Sequence, residues 1–157
     1  MPGAGHLDMR VAVGADHAGF SLKTPVIEAL RLWGHEVEDF GTHSTDPVDF
    51  PDVVLPVCTA LLKGRVERGI LVCGTGIGAC MAANKIAGIR AALCHDIYSA
   101  HQSVEHDDAN VMCLGAKIVG EWLALDLVRA YLDSRFGGEE HFQRRIAKMA
   151  AMETERR

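Results

Sequence analysis

Basic charge is in short supply in this chain. Its 16 Lys and Arg stand against 21 Asp and Glu, for a formal net charge of −5. A protein that grips nucleic acid through bulk charge is normally basic, so no nucleic-acid partner is expected. Long apolar runs are also missing. None approaches the roughly 20 residues that a membrane span requires, and residues 1–10 lack the apolar core of a secretory signal. The five cysteines are odd in number, with no CxxC pair and no zinc-ribbon spacing. That usage fits reduced thiols in the cytosol and argues against a disulfide scaffold. Disorder and collagen-like repetition are excluded as well, because 48% of the residues are hydrophobic and 24% charged. No internal repeat or long linker divides the 157 residues. The expectation is one cytoplasmic domain over residues 9–157, closed by a C-terminal helix and preceded by a flexible extension at residues 1–8.

What is present alternates regularly. Strand-like apolar runs are expected at residues 9–15, 36–40, 69–73, 89–94 and 110–114. Helical patterns fall at 20–33, 52–63, 78–84, 97–106 and 119–132. In the first of these Leu22, Val26 and Leu30 repeat at helical spacing and Gly34 supplies the stop. A last, charged helix follows Gly137-Gly138, with Phe142, Ile146 and Met149 as its narrow apolar stripe. The second run, Glu36-Val-Glu-Asp-Phe40, is polar enough to belong near a sheet edge. Five strands alternating with helices predict an α/β fold: a three-layer α/β/α sandwich around a five-stranded parallel, Rossmann-like sheet. Such sheets bind ligands at the C-terminal ends of their strands. That rule selects Asp16-His17, residues 41–51, residues 74–78, His95-Asp96 and residues 115–117.

The third strand ends in Cys73 and runs into Gly74-Thr75-Gly76-Ile77-Gly78 before a helix. Such a loop presents backbone N–H groups to a ligand, and its glycines permit close approach. It is no Walker A loop, since no Lys-Ser/Thr follows Gly78. A dinucleotide fingerprint is the rival reading, with Asp96 about 20 residues on, although the loop follows the third strand instead of the first. Cys73 reads either as a small core residue or as a thiolate favoured by the adjoining helix. Cys58, Cys80, Cys94 and Cys113 read as core, and His6, His35 and His43 as surface. Asp16 and His17 close the first strand as a pair that packing explains poorly. His106 ends a helix, as a cap or as a chemical group. A metal bound by His101, Glu105, His106 and Asp107 is the remaining alternative, but no HExxH or His-x-His spacing supports it. Arg144-Arg145 and Lys117 offer charge for a phosphate, or simply form a solvated face.

Taken together, Gly14-Ala-Asp-His-Ala-Gly19, residues 69–78, Ala82-Ala-Asn-Lys85, Gly88-Ile-Arg-Ala91, Tyr98-Ser-Ala100 and His106-Asp-Asp-Ala-Asn110 resemble the type B ribose-5-phosphate isomerase family. That group includes galactose-6-phosphate and allose-6-phosphate isomerases. The likeness runs in order from about residue 11 to residue 153. It implies a homodimer with its site at the interface, and metal-free aldose–ketose isomerisation without a cofactor. By the resemblance Cys73 is the general base, Thr75 the hydroxyl beside it, and His106 the group that opens the sugar ring. Asp16 and His17 match substrate-binding positions, and Gly74, Gly76, Ile77 and Gly78 match the backbone cradle. Arg145 matches a phosphate arginine. Three positions depart from the pattern: Asp107 stands where Asn is usual, and Lys117 where Arg is common. His141 replaces another phosphate arginine in the register set by Arg144-Arg145-Ile146. The proton-transfer set is intact, so the departures bear on which sugar phosphate is used: ribose 5-phosphate, a hexose 6-phosphate or a tetrulose phosphate. A non-catalytic sugar-phosphate binder would have no use for that set.

Overall fold

The apolar runs of the central strands are buried almost without a break, and because successive side chains point to opposite faces, both sides of the sheet must be covered. A computed structural model describes residues 8–155. The elements are β1 (Arg10–Ala15), α1 (Phe20–Leu32), β2 (Glu36–Asp39), α2 (Phe50–Leu62), β3 (Arg68–Cys73), α3 (Ile77–Ala83), β4 (Ala91–Leu93), α4 (Ile97–Glu105), β5 (Val111–Gly115), α5 (Glu121–Asp133) and α6 (Glu140–Thr154). The strands form one parallel sheet in the order β2-β1-β3-β5-β4. Polar β2 lies at an edge, as its composition predicts.

Val11, Val13, Ile70, Val72, Met112 and Leu114 point to one face and pack with α1, α4 and α5. Ala12, Leu71, Cys73, Val111 and Cys113 point to the other and pack with α2 and α3. The result is the expected three-layer sandwich. Each helix on the first face contributes a stripe at helical spacing: Leu22, Val26, Ile27 and Leu30 in α1, and Leu127, Val128, Tyr131 and Leu132 in α5. Asp96 caps α4 by accepting the Ser99 N–H at 2.7 Å. In α6, by contrast, no residue is buried.

Three local expectations change. Helix α2 starts at Phe50, two residues before the expected Asp52, because Pro51 fits a first helical turn where its missing N–H is not needed. Strand β4 is only Ala91–Leu93 instead of residues 89–94. The Arg90 N–H goes to the Asn110 side chain at 2.8 Å, so this stretch is tied to a loop before the ladder begins. His35, expected on the surface, is 4% exposed. The turn at Gly34 folds it under β1, where its Nδ1 accepts the Met9 N–H at 3.2 Å. Residues 1–7 of the expected N-terminal extension, including His6, lie outside the described residues.

Candidate active site

The strand order reverses between β1 and β3, since β1 is followed outward by β2 on one side and flanked by β3 on the other. At the C-terminal ends of those two strands stand Asp16 and Cys73. Ala15 pairs with Val72 in register, and the Asp16 N–H donates to the Val72 carbonyl at 3.2 Å. Asp16 is buried, and its Oδ1 accepts the Gly19 N–H at 2.9 Å, which shapes the turn into α1. His17 accepts the Val48 N–H on Nδ1 at 3.1 Å. A neutral ring so placed carries its proton on Nε2. The structure therefore supplies a packing reason for both residues that the sequence does not disclose.

Cys73 is 6% exposed, and its Sγ accepts the Gly76 N–H at 3.0 Å. Gly76 has φ of +79°, and a Cβ there would lie 2.6 Å from a Leu93 methyl. Only glycine turns the loop back onto the sulfur at this point. Thr75 is exposed, with Oγ1 accepting the Ile77 N–H at 3.3 Å. Ile77 is half exposed, and Gly78 sits in the first turn of α3 against the Phe50 ring. The segment after β5 is laced to this loop: Ala116 N–H donates to the Cys73 carbonyl at 2.8 Å and Lys117 N–H to that of Gly74 at 2.9 Å. The Lys117 stem passes over Gly74, close enough to touch a Cβ built there. Gly115 presses on the Thr75 backbone, where a Cβ would approach to 2.6 Å.

Sequence reasoning flagged the His95 loop but not the side chain. His95 Nε2 accepts the Gly115 N–H at 2.9 Å and so braces the seam between β5 and the glycine loop. Burial lowers its pKa, only partly opposed by the Asp96 charge. The cysteines also differ from one another. Burial pushes the Cys58 and Cys94 thiols up to about 11, as befits core residues. Cys113 rises well above the usual value through its hydrogen bond with Cys80 and through complete burial. Cys80, expected in the core, is only partly buried; the Cys113 hydrogen bond, helped by the Asn84 amide, outweighs burial and brings it down to about 7.

A second set of expected site residues lies at the opposite edge of the sheet. Helix α4 starts at the C-terminal end of β4 and runs back for 9 residues, roughly 13 Å. His106, its C-cap, therefore stands beside the strand beginnings. Arg90, just before β4, holds Asp108, and Arg68, the first residue of β3, donates to the Ala109 carbonyl. His106 Nδ1 accepts from the Gln102 amide at 2.9 Å, and its ring stacks on Phe142 at 4.3 Å between centroids. Asp107 is exposed. His141 tilts against Phe142 at 4.1 Å, Arg145 is exposed, and Arg144 pairs with Glu140 at 2.7 Å. One chain thus brings Asp16, His17, residues 73–78 and Lys117 together at one rim. It places His106, Asp107, His141 and Arg145 at the other. His101 pairs with Glu105 at 3.0 Å, and no group of three or more His, Cys, Asp or Glu among the described residues is arranged to hold a metal ion. Nor is any helix among them long and apolar enough to cross a membrane.

At the switch point of this doubly wound α/β sheet a thiol cradled by backbone marks a candidate ligand site, and comparison with known proteins gives the chain its class and family. The model of the ribose/galactose isomerase family matches residues 11–149. The chain is 43% identical over 147 residues to ribose-5-phosphate isomerase B of Escherichia coli, covering 94% of this chain and 98% of that one. It is 42% identical to D-erythrulose-4-phosphate isomerase of Pectobacterium atrosepticum, over 83% of this chain and 86% of the relative. Among solved structures, ribose-5-phosphate isomerase B of Clostridium thermocellum superposes with a TM-score of 0.92 at 44% identity, over 94% of this chain and 99% of that one. The chain belongs to the ribose/galactose isomerase family, and it is a sugar phosphate isomerase.

Proposed function

We propose that this protein interconverts an aldose phosphate and its ketose, ribose 5-phosphate and ribulose 5-phosphate foremost, through an enediolate. The observation that carries the reading is the 3.0 Å hydrogen bond from Gly76 N–H to the Cys73 sulfur. That bond fixes the sulfur against the glycine loop, and the thiolate is the form of a cysteine that acts as a base. Cys73 takes the C2 proton and returns it to C1 while the two oxygens exchange theirs. Because the Gly76 and Ile77 N–H groups serve Cys73 and Thr75, the other donors of residues 74–78 meet the charge on the enediolate oxygens. Such a donor is typically worth about 3 kcal/mol in the transition state. Asp16 and His17 hold sugar hydroxyls. Lys117, His141 and Arg145 supply positive charge or donors for the phosphate, which carries about two negative charges at pH 7.

His106 opens the sugar ring. Its proton sits on Nε2 when Nδ1 accepts from Gln102, and stacking on Phe142 fixes the plane of the ring. Since Cys73 and His106 stand at opposite edges of one chain's sheet, a complete site requires two copies. The reading is a homodimer with shared sites in a cytoplasmic enzyme of one domain, working without metal, cofactor or nucleic acid. Isomerisation of a four-carbon sugar phosphate is the second reading, and likeness to the D-erythrulose-4-phosphate isomerase supports it. A structural relative from Mycoplasma genitalium, 36% identical with a TM-score of 0.89, has been solved with bound ribulose-5-phosphate. A coupled assay over ribose, galactose, allose and erythrose phosphates tests the proposal. Turnover of one of them, lost in Cys73→Ser, is expected. NADH binding without any isomerisation would return the decision to the dinucleotide reading.

A further inference from the structure

Lys23 on α1 is a buried cation that the proposed mechanism does not use. It is 2% exposed, and its Nζ meets both oxygens of Asp39, at 2.8 and 2.9 Å. Burying an ammonium is costly even when it is paired, so this placement calls for a structural return. Asp39, the last residue of β2, passes the contact on: the Oδ1 that receives Lys23 also accepts the Gly41 N–H at 2.9 Å. Burial pushes the Asp39 carboxyl up, but the bonds from Lys23 and Gly41, with the charges of Lys23 and His43, outweigh it and hold it below its ordinary value. Gly41 in turn is locked to the end of β1. Its carbonyl accepts the Ala15 N–H at 2.6 Å, and Thr42 N–H donates back to the Ala15 carbonyl at 2.5 Å. Ala15 immediately precedes Asp16 and His17. The far end of the same loop returns to the site, where Val48 N–H donates to His17 Nδ1.

We infer that Lys23 is a positioning residue for substrate binding: through Asp39 it anchors the 40–49 loop at its base, and that loop holds His17 in place. Lys23 touches neither the sulfur nor the glycine loop, so its influence falls on sugar binding and leaves proton transfer alone. This inference rests on the isomerase reading for the role of His17, but not for the anchoring itself.

Two readouts test it on the full-length protein. Lys23→Met keeps most of the side-chain volume and removes the charge. It should speed hydrogen exchange at the Val48 amide, raise KM for ribose 5-phosphate about tenfold and leave kcat within about twofold, the pattern of lost uniform binding. In a His17→Ala background the same change should add less than about twofold to KM, because the group it positions is gone. Asp39→Asn, a gentler variant, should move both readouts the same way by less, and it decides the matter if Lys23→Met does not fold. An unchanged Val48 exchange rate, or an equal KM penalty with and without His17, would overturn the inference. Wild-type protein inactive on every sugar phosphate would sink the isomerase reading instead, and the Val48 exchange would then judge the anchoring alone.

Discussion

The two edges of the sheet are built in opposite ways. At the C-terminal rim, Cys73 is buried and hydrogen-bonded, and backbone bonds lace the glycine loop to the segment after β5. At the other edge His106 caps a helix, and α6 stands beside it with no buried residue. Between α6 and residues 84–92 runs a groove of about 480 Å³ bordered by Ile146, Met149 and Met152. Around the rim, Ile77, Met81, Leu93 and Tyr98 are 38 to 67% exposed. A single chain therefore gathers Asp16, His17, Cys73, the glycine loop and Lys117 at one rim and leaves His106, His141 and Arg145 at the other; in the proposed mechanism the first group moves the carbon-bound proton. In the proposed homodimer the proton-transfer half would rest on fixed backbone within one chain, and the other half on where a second chain puts it.

The largest effect should come from attacking the built rim. Cys73→Ser should reduce kcat by at least about a thousandfold with the fold intact, since a serine hydroxyl is too weak an acid to supply the base. Circular dichroism with a coupled assay checks this, and retention of a tenth of the activity would break the assignment. His106→Ala should lower the rate on a ring-forming aldose phosphate by about a hundredfold, within the range of a lost acid–base group. On a four-carbon phosphate that cannot close the same ring it should lose far less, and equal losses would refute the division of labour.

Gly115→Ala sharpens the contrast from the backbone side. Its methyl group would lie 2.6 Å from Thr75 backbone atoms, so the loop must shift. We expect a drop of about tenfold in kcat from that displacement of the loop and a modest fall in Tm, read from kinetics and a thermal melt. His141→Arg, at the open edge, should lower KM for ribose 5-phosphate a few-fold with little change in kcat, because a phosphate remote from C1 and C2 contributes uniform binding.

The smallest effect concerns pH. The lowered pKa of His95 means that the folded state favours the neutral ring. Its contribution is present above the ordinary histidine value, near 6.5, and is lost as pH falls through the lower folded value. Exchange at the Gly115 amide, corrected for intrinsic rate, should therefore quicken at acid pH.

Much of the rim was legible because its signals are local. Continuous apolar runs mark strands buried on both faces, and a glycine cluster directly after a strand announces a backbone cradle. The sequence could not show that Nδ1 of His17 belongs to Val48, 31 residues away, or that His95 supports Gly115. Those are tertiary contacts without spacing of their own. His35 was misread because a polar residue after Gly34 looks like a turn, whereas the chain folds it back beneath β1. Cys80 was read too deep because helical position alone does not set depth: it packs against the core yet stays only partly buried. The separation of His106 from Cys73 follows from handed βαβ connectivity, since each helix returns to the start of the next strand. It becomes visible only once the resemblance has assigned both residues to one reaction.

Mixing two inactive variants tests that separation most directly. Cys73→Ser and His106→Ala, each carrying a different affinity tag, are co-refolded and the hybrid is purified through both tags. In a hybrid dimer with shared sites, one site receives wild-type Cys73 and wild-type His106 while the other receives neither. The account predicts that the purified hybrid regains about half of the wild-type rate per dimer, as one intact site of two requires. A hybrid no more active than the average of its parents would contradict the claim that each site is assembled from two chains.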